Sequence, residues 1–414
     1  MNVKNGRIRA GIIGLGCRGN SMTDLLSERD DLTITAVCDV YDDRISMMQE
    51  KLAAKCGCRP TGFIDYRELI SSPLTDVIFV FAAWEAHVPV VVAAMEAGKP
   101  VAFEVGGAYS IDDCRLLIKT YEKTHTPAMM LENCMYGINE MTVTEMARAG
   151  VFGEIMHLDG GYMHDLRSEV TLGGRNRHYR LRNYLSRNCE NYPTHELGPI
   201  CRLLGINEDN RFLTLSSFST AARGLNDYAA RTPGVPAELA EAHFAQGDVV
   251  TTILTTAKGQ TVRLVLDTTL ARAYSRGLTV HGTRGCFIED NLSVYTDDTN
   301  TEHDHFRWRN FWGNFDGWKE KYQPELWREY TRSGIKKGHG GMDFLVLDAF
   351  MTSLWEDLPM PVDIYDAAVM MAVSPLSEQS IKLGGAPVEF PDLLGGADPA
   401  SIPRTTGKYA LHRI

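Results

Sequence analysis

The sequence predicts a doubly wound parallel α/β domain followed by a second α/β domain built on a large, open, mostly antiparallel sheet. Three observations carry that prediction: a glycine turn between a strand and a helix near the start, a β/α alternation running to about residue 135, and longer β-branched runs beyond residue 140. At 414 residues the chain exceeds the roughly 250–300 that one hydrophobic core serves, so two domains are expected, 1–135 and 136–414.

Residues 8–14 form a short apolar run that ends in Gly14-Leu15-Gly16-Cys17-Arg18-Gly19, and residues 21–29 are helix-compatible. Residues 32–38 then read as a β-branched strand closed by Asp39, about 20 residues after Gly19, where a ribose-binding acid belongs. Gly14, Gly16 and Gly19 permit a tight turn and close backbone approach, while the helix N-terminus offers N–H groups and a positive dipole to a pyrophosphate. Asp39 accepts from both ribose hydroxyls and repels a 2′-phosphate, so NAD is the expected cofactor, with Arg18 and Arg44 weighing the other way.

The alternation continues with strands at 77–81, 101–103 and 128–131 and helices at 88–97 and 111–124. In such sheets ligands bind at the carboxyl ends of the strands. Those ends present Trp84-Glu85-Ala86-His87, Glu104-Val105 and Glu132-Asn133.

Beyond residue 140 the pattern changes to strands at 155–162, 213–219, 249–256, 260–268 and 278–282, a strand-rich, helix-poor region expected to cover the cofactor. A Trp/Tyr-rich insert at 306–330 and helices at 340–354 and 363–382 follow, the last expected to pack back near the first domain.

A formal charge of −11 excludes the clustered Lys/Arg field of a nucleic-acid surface. Hydrophobic residues at 44% and charged ones at 23% fit a globular chain, and no run approaches the roughly 20 apolar residues of a membrane helix. No apolar segment of the signal-peptide kind precedes the first strand, so a soluble cytoplasmic protein is expected. The nine cysteines are odd in number, and Cys56-Gly-Cys58 lacks the spacer of a zinc motif, which points to reduced thiols and no metal. His157, His243, His303 and His305 offer no ligand spacing.

Several segments, in one order from residue 8 to about 395, carry a resemblance. They include Trp84-Glu-Ala-His87, Met130-Leu-Glu-Asn-Cys134, Gly160-Gly-Tyr-Met-His-Asp-Leu-Arg167, Tyr192-Pro-Thr-His-Glu-Leu-Gly-Pro199, Arg272-Ala-Tyr-Ser275 and Gly338-His-Gly-Gly-Met-Asp-Phe344. The chain resembles the Gfo/Idh/MocA oxidoreductase superfamily and, within it, glycoside hydrolase family 109, the NAD-dependent α-N-acetylgalactosaminidases. Ordinary dehydrogenases of the superfamily carry Glu-Lys-Pro where this chain has Glu104-Val105-Gly106, and an Asp where it has Asn191. Losing both groups disfavours simple alcohol oxidation, which needs a base for the hydroxyl proton.

The resemblance implies transient oxidation of a sugar at carbon 3, loss of the aglycone by elimination, water addition and re-reduction, with no net redox. A sugar C3 dehydrogenase or a non-catalytic NAD/sugar-binding protein are the alternatives. The resemblance also implies that Tyr162, Arg180, Tyr192, Thr194, His195 and Tyr274 form the sugar-binding and catalytic wall, and that Cys17, Arg18, Asp39, Trp84, His87, Glu104, Val105 and Asn133 form the NAD shell. His195 is the expected acceptor of the carbon-3 hydroxyl proton and Tyr162 the base at carbon 2, the latter needing positive charge from His164 or Arg180. Glu132 either orients the ribose or serves the departing oxygen, while Trp84 and Tyr274 offer aromatic faces. The implied partner is a small glycoside, in a homo-oligomer formed through the open sheet.

Overall fold

The computed structural model describes residues 6–299 and 307–412, and the chain divides into two compact units. The first gathers the chain up to Asn133 together with Ile335–Val369 and Pro403–Leu411, and the second holds Cys134–Gly334 and Met370–Ile402. Two stretches that the sequence assigned to a single 136–414 domain therefore belong with the first unit. The reason is ionic: Asp343 accepts from Arg18 at 2.7 Å and from Asn133 at 2.7 Å, and Asp348 from Arg29 at 2.8 Å. The helix Ile364–Lys382 begins in the first unit and ends in the second.

The first unit contains six parallel strands, β1 (Ile8–Ile13), β2 (Leu32–Cys38), β3 (Thr61–Phe63), β4 (Val77–Val80), β5 (Val101–Phe103) and β6 (Ala128–Met130), in the order β3-β2-β1-β4-β5-β6. The order reverses between β1 and β4, which makes the crevice beyond their carboxyl ends the switch point where such sheets bind ligands. Every residue of β4 is buried, as a parallel strand covered on both faces requires.

The second unit is built on eight strands: β7 (Ile155–Met163), β8 (Phe212–Ser219), β9 (Val249–Thr256), β10 (Thr261–Asp267), β11 (Thr279–Gly282), β12 (Gly285–Ile288), β13 (Ser293–Thr296) and β14 (Val388–Glu389). Their order is β13-β12-β11-β7-β10-β9-β8-β14, with β7 and β10 parallel and the other pairs antiparallel. Alternation sets the faces: Val250 and Leu254 point into the core, while Ile253 is 41% exposed.

The helix-poor expectation for this region is wrong between β7 and β8, where Arg167–Thr171, Gly173–Asn176, Arg180–Ser186 and Thr194–Leu204 are all helical. The first three are too short to show periodicity. The fourth is buried along its whole length. Gly160 on β7 lets that helix approach, since a Cβ there would stand 2.7 Å from Glu196 Cβ. In the insert at 306–330, Phe315–Tyr322 and Glu325–Ser333 are helices, whereas His303, His305 and Phe306 lie outside the described residues. Among the described residues, no helix is long and apolar enough to cross a membrane.

Candidate active site

In the first unit the glycine turn after β1 behaves as its residue types demand. Gly14 has φ +93°, and a Cβ on it would strike Ala82 N at 2.5 Å. A Cβ on Gly19 would sit 2.0 Å from the Gly14 carbonyl oxygen. Gly16 differs: a Cβ there would meet only Arg44 Nη1 at 3.7 Å, so packing within the protein does not require glycine and the space above it is open. The helix Cys17–Ser27 that follows has no side-chain cap and no acidic residue in its first turn, leaving its positive end to an anion. At the end of β2, Asp39 accepts from Leu15 N–H at 2.8 Å and Tyr41 N–H at 3.1 Å and lies 3.5 Å from Arg44 Nη1. Open backbone at Gly16 and a fixed carboxylate at Asp39 fit a dinucleotide. The predicted Cys17 is exposed, at the first position of the helix.

Arg18 extends from this turn into a charged cluster. Its Nε donates to Glu104 at 2.6 Å and its terminal nitrogens donate to both Asp343 oxygens at 2.7 and 3.0 Å. Burial opposes the guanidinium charge, but Glu104 and Asp343 outweigh it and hold the group above its ordinary range. Burial likewise disfavours the Asp343 carboxylate, and the hydrogen bonds of His339 and Arg18 overcome it, so that acid sits well below the usual range. With Arg18 committed to two carboxylates, Arg44 is left as the basic group beside Asp39.

His339 Nδ1 lies 2.8 Å from Asp343 in a turn whose φ of 43° at a non-glycine residue is flanked by positive φ at Gly338, Gly340 and Gly341. The same Nδ1 lies 3.4 Å from Arg18 Nη1, so the imidazole is fixed at the edge of the charged cluster. Sequence reasoning quoted this segment but gave neither His339 nor Asp343 a role. The signal was there in Gly-His-Gly-Gly, since a histidine among three glycines marks a backbone forced into the left-handed region.

Trp84 and His87 act inside the unit. Trp84 is 4% exposed, and a Cβ on Gly106 would come 2.9 Å from its Nε1. His87 is fully buried, its two ring nitrogens 3.0 Å from the Gly106 and Ala82 carbonyl oxygens. Both side chains pack against the Gly106 turn after β5. Glu104 and Val105 are buried at that same turn, and Glu132 is fully buried just after β6.

In the second unit the predicted sugar-wall residues come together as a cluster of rings. Tyr162, near the end of β7, has its ring 4.3 Å from that of Tyr192, 5.4 Å from His195 and 6.2 Å from Tyr274. Two backbone hydrogen bonds between Met163 and Ser275, at 3.1 and 2.9 Å, bring Tyr274 to the strand end. His195 is the second residue of the helix Thr194–Leu204. The Thr194 Oγ1 is buried with no hydrogen-bond partner among the described residues, an orphan that a ligand hydroxyl would satisfy.

Arg180, only 6% exposed, is not a solvated loop residue: its guanidinium lies 5.0 Å from the Tyr192 ring centroid and 6.0 Å from that of Tyr162, and Glu169 Oε1 holds its Nε at 3.0 Å. Glu169 was missed in the sequence, where an acid eleven positions from its partner has no spacing rule to reveal it. Of the two expected sources of positive charge for Tyr162, Arg180 is the one that acts on it. Burial first, then Arg180, lowers the His164 imidazole, which stays neutral, and burial pushes the Tyr162 phenol up to about 12 against the attraction of Arg180.

The segment leading to His195 is fixed by buried polar contacts. Gln246 accepts from Cys189 N–H at 3.3 Å and Asn191 Nδ2 at 3.1 Å, while Ser377 accepts from Glu190 N–H at 2.8 Å and Ser374 donates to its carbonyl at 2.7 Å. Asn191, at the place of the superfamily's usual acid, is thereby part of the scaffold.

Residues 136–397 match the family described as Glycosyl hydrolase 109, C-terminal domain, and residues 8–131 match the Oxidoreductase family, NAD-binding Rossmann fold. The chain belongs to glycosyl hydrolase family 109. Among similar family 109 proteins, one from Stenotrophomonas maltophilia (strain K279a) is 35% identical over 94% of this chain and 90% of its own. One from Tannerella forsythia, named Alpha-N-acetylgalactosaminidase, is 34% identical over 95% and 87%. The myo-inositol dehydrogenase of Lactobacillus casei, solved with NAD(H) and myo-inositol, shares the fold at TM-score 0.63 and 14% identity, covering 93% of this chain and 97% of its own. Family 109 membership makes this a sugar-acting enzyme on an NAD-binding Rossmann fold.

Proposed function

We propose that this family 109 enzyme is an NAD+-dependent retaining glycosidase, N-acetylgalactosaminidase-like, that opens the glycosidic bond by elimination and closes it by water addition. The ring cluster of the second unit carries this reading: two imidazoles and two further phenols surround the Tyr162 ring, with a buried guanidinium against Tyr162 and Tyr192, a set suited to moving protons at a polar ring. Relatives named Alpha-N-acetylgalactosaminidase support the choice of sugar. NAD, when bound, supplies reversible oxidation at sugar carbon 3, which makes the carbon-2 hydrogen acidic.

Gly16, the first-turn amides of the helix Cys17–Ser27 and Asp39 would hold the pyrophosphate and ribose. His195 accepts the proton of the carbon-3 hydroxyl. Tyr162 takes the carbon-2 proton, and Arg180 stabilises the negative charge that develops on the carbon-3 oxygen. Thr194, Tyr192 and Tyr274 orient the ring by hydroxyl and face contacts, and Glu132 serves the departing oxygen.

The test is a panel of nitrophenyl glycosides, α- and β-linked, of GalNAc, GlcNAc, galactose and glucose, run with NAD+ in deuterated water. Aglycone release with deuterium at carbon 2 and no accumulated NADH is the expected result. NADH build-up without release overturns it in favour of a sugar C3 dehydrogenase, and binding without either reaction in favour of a sugar-sensing protein.

A further inference from the structure

A phenol as deeply buried as Tyr162 keeps its own proton at neutral pH, so it can receive one from carbon 2 only if its hydroxyl proton leaves in the same event. An acceptor stands in place. Tyr162 Oη lies 2.9 Å from Nδ1 of His164, two residues on, where strand alternation puts both side chains on one face. The His164 backbone is fixed by its N–H to the Asp267 carbonyl at 2.9 Å, and its ring meets that of Tyr274 edge-on at 5.1 Å and 87°.

We propose, resting on the glycosidase reading, that Tyr162 and His164 form a proton relay in which His164 Nδ1 takes the phenol proton as the phenol oxygen takes the carbon-2 proton. His164 touches no reacting atom and acts through Tyr162. In the step, the C2–H pair becomes the C1=C2 double bond, the aglycone oxygen leaves with the C1–O pair and takes a proton from the Glu132 carboxyl, which becomes a carboxylate, and the imidazole becomes imidazolium. Tyr162 ends as it began.

The surroundings suit this role. The groups facing the imidazole are Arg180 and His195, which disfavour its charge, and Glu169 and Asp165, which favour it. Burial and Arg180 prevail, so the ring is a neutral acceptor at pH 7 and, being half-buried, releases the acquired proton to solvent.

The test follows carbon-2 exchange and aglycone release from pH 6 to 10 in the NAD+-loaded enzyme, for the wild type and for His164→Gln, together with NAD+ affinity. In the wild type the rate is flat above about pH 7, because its acceptor is already neutral. In His164→Gln the rate falls by about 10²–10⁴-fold at pH 7 and climbs with pH as the phenol must ionise unaided, while NAD+ affinity stays within about twofold.

A second measurement, nitrogen-15 NMR of histidine-labelled wild type at pH 8, needs no turnover. It is expected to show His164 Nδ1 unprotonated, and a protonated Nδ1 overturns the relay. If the wild type exchanges carbon-2 hydrogen and His164→Gln keeps a flat profile, the relay alone fails. If the wild type exchanges none, the glycosidase reading fails and takes the relay with it.

Discussion

The charged cluster around Arg18 and the ring cluster around Tyr162 are both withdrawn from water, yet burial decides opposite outcomes in them. Around Arg18 each charge has a partner of opposite sign at hydrogen-bond distance, so burial loses and the acid and guanidinium stay ionised. Around Tyr162 one guanidinium faces several neutral rings, so burial wins: the phenol holds its proton and the imidazole of His164 gives its proton up. Paired charges fix positions, whereas hydrogen-bonded rings hold protons ready to move. Two parts of one enzyme are thereby fitted to holding and to reacting.

The comparison breaks most sharply at Tyr162. Tyr162→Phe keeps the ring and removes the hydroxyl, and aglycone release should fall by about 10²–10⁴-fold with NAD+ affinity unchanged within about twofold. A loss below about tenfold would mean that another group is the carbon-2 base.

In the charged cluster the corresponding change acts on the fold. Asp343→Ala leaves Arg18, Asn133 and His339 without their shared acceptor, and thermal or denaturant unfolding should show a loss of about 3 kcal/mol. An unchanged midpoint would show that the cluster is not structural.

Glu190 sharpens the contrast as a buried acid with no ionic partner among the described residues. Burial, against a hydrogen bond from the Tyr192 N–H, pushes its carboxyl up to about 8, so the folded chain keeps a proton that the unfolded chain loses in the ordinary carboxyl range. Its favourable contribution is complete at pH 4 and drains away as pH rises toward 8. Glu190→Gln should therefore be more stable than the wild type by about 1–4 kcal/mol at pH 8, with the gap closing toward pH 5. A gap independent of pH would refute this.

The smallest effect is expected at Glu169, whose carboxylate is 42% exposed where it meets Arg180. Glu169→Gln should raise KM about threefold and leave kcat near its wild-type value, since an exposed pair contributes little.

The parallel sheet was legible because each of its cues is local: a glycine turn, an acid about 20 residues on, and strands too apolar to be anything but covered. The residues of the ring cluster were found through motifs carried by resemblance, and the structure draws them together. What escaped was the set of partners that hold them. Glu169, Gln246 and Ser377 are ordinary polar residues in sequence, and only folding shows which atoms they reach. Asp343 was written in a quoted motif, but its partner Arg18 lies 325 residues away, beyond any spacing rule.

That same separation bears on how the chain is made. Arg18 leaves the ribosome 325 residues ahead of Asp343, so the nucleotide-binding unit cannot complete its ionic centre until most of the polypeptide has emerged. A fragment ending at Asn133 would keep all six strands of its sheet and lack the acid that Arg18, Asn133 and His339 share. Any effort to express the first unit by itself must therefore carry the stretch Ile335–Val369 along with it.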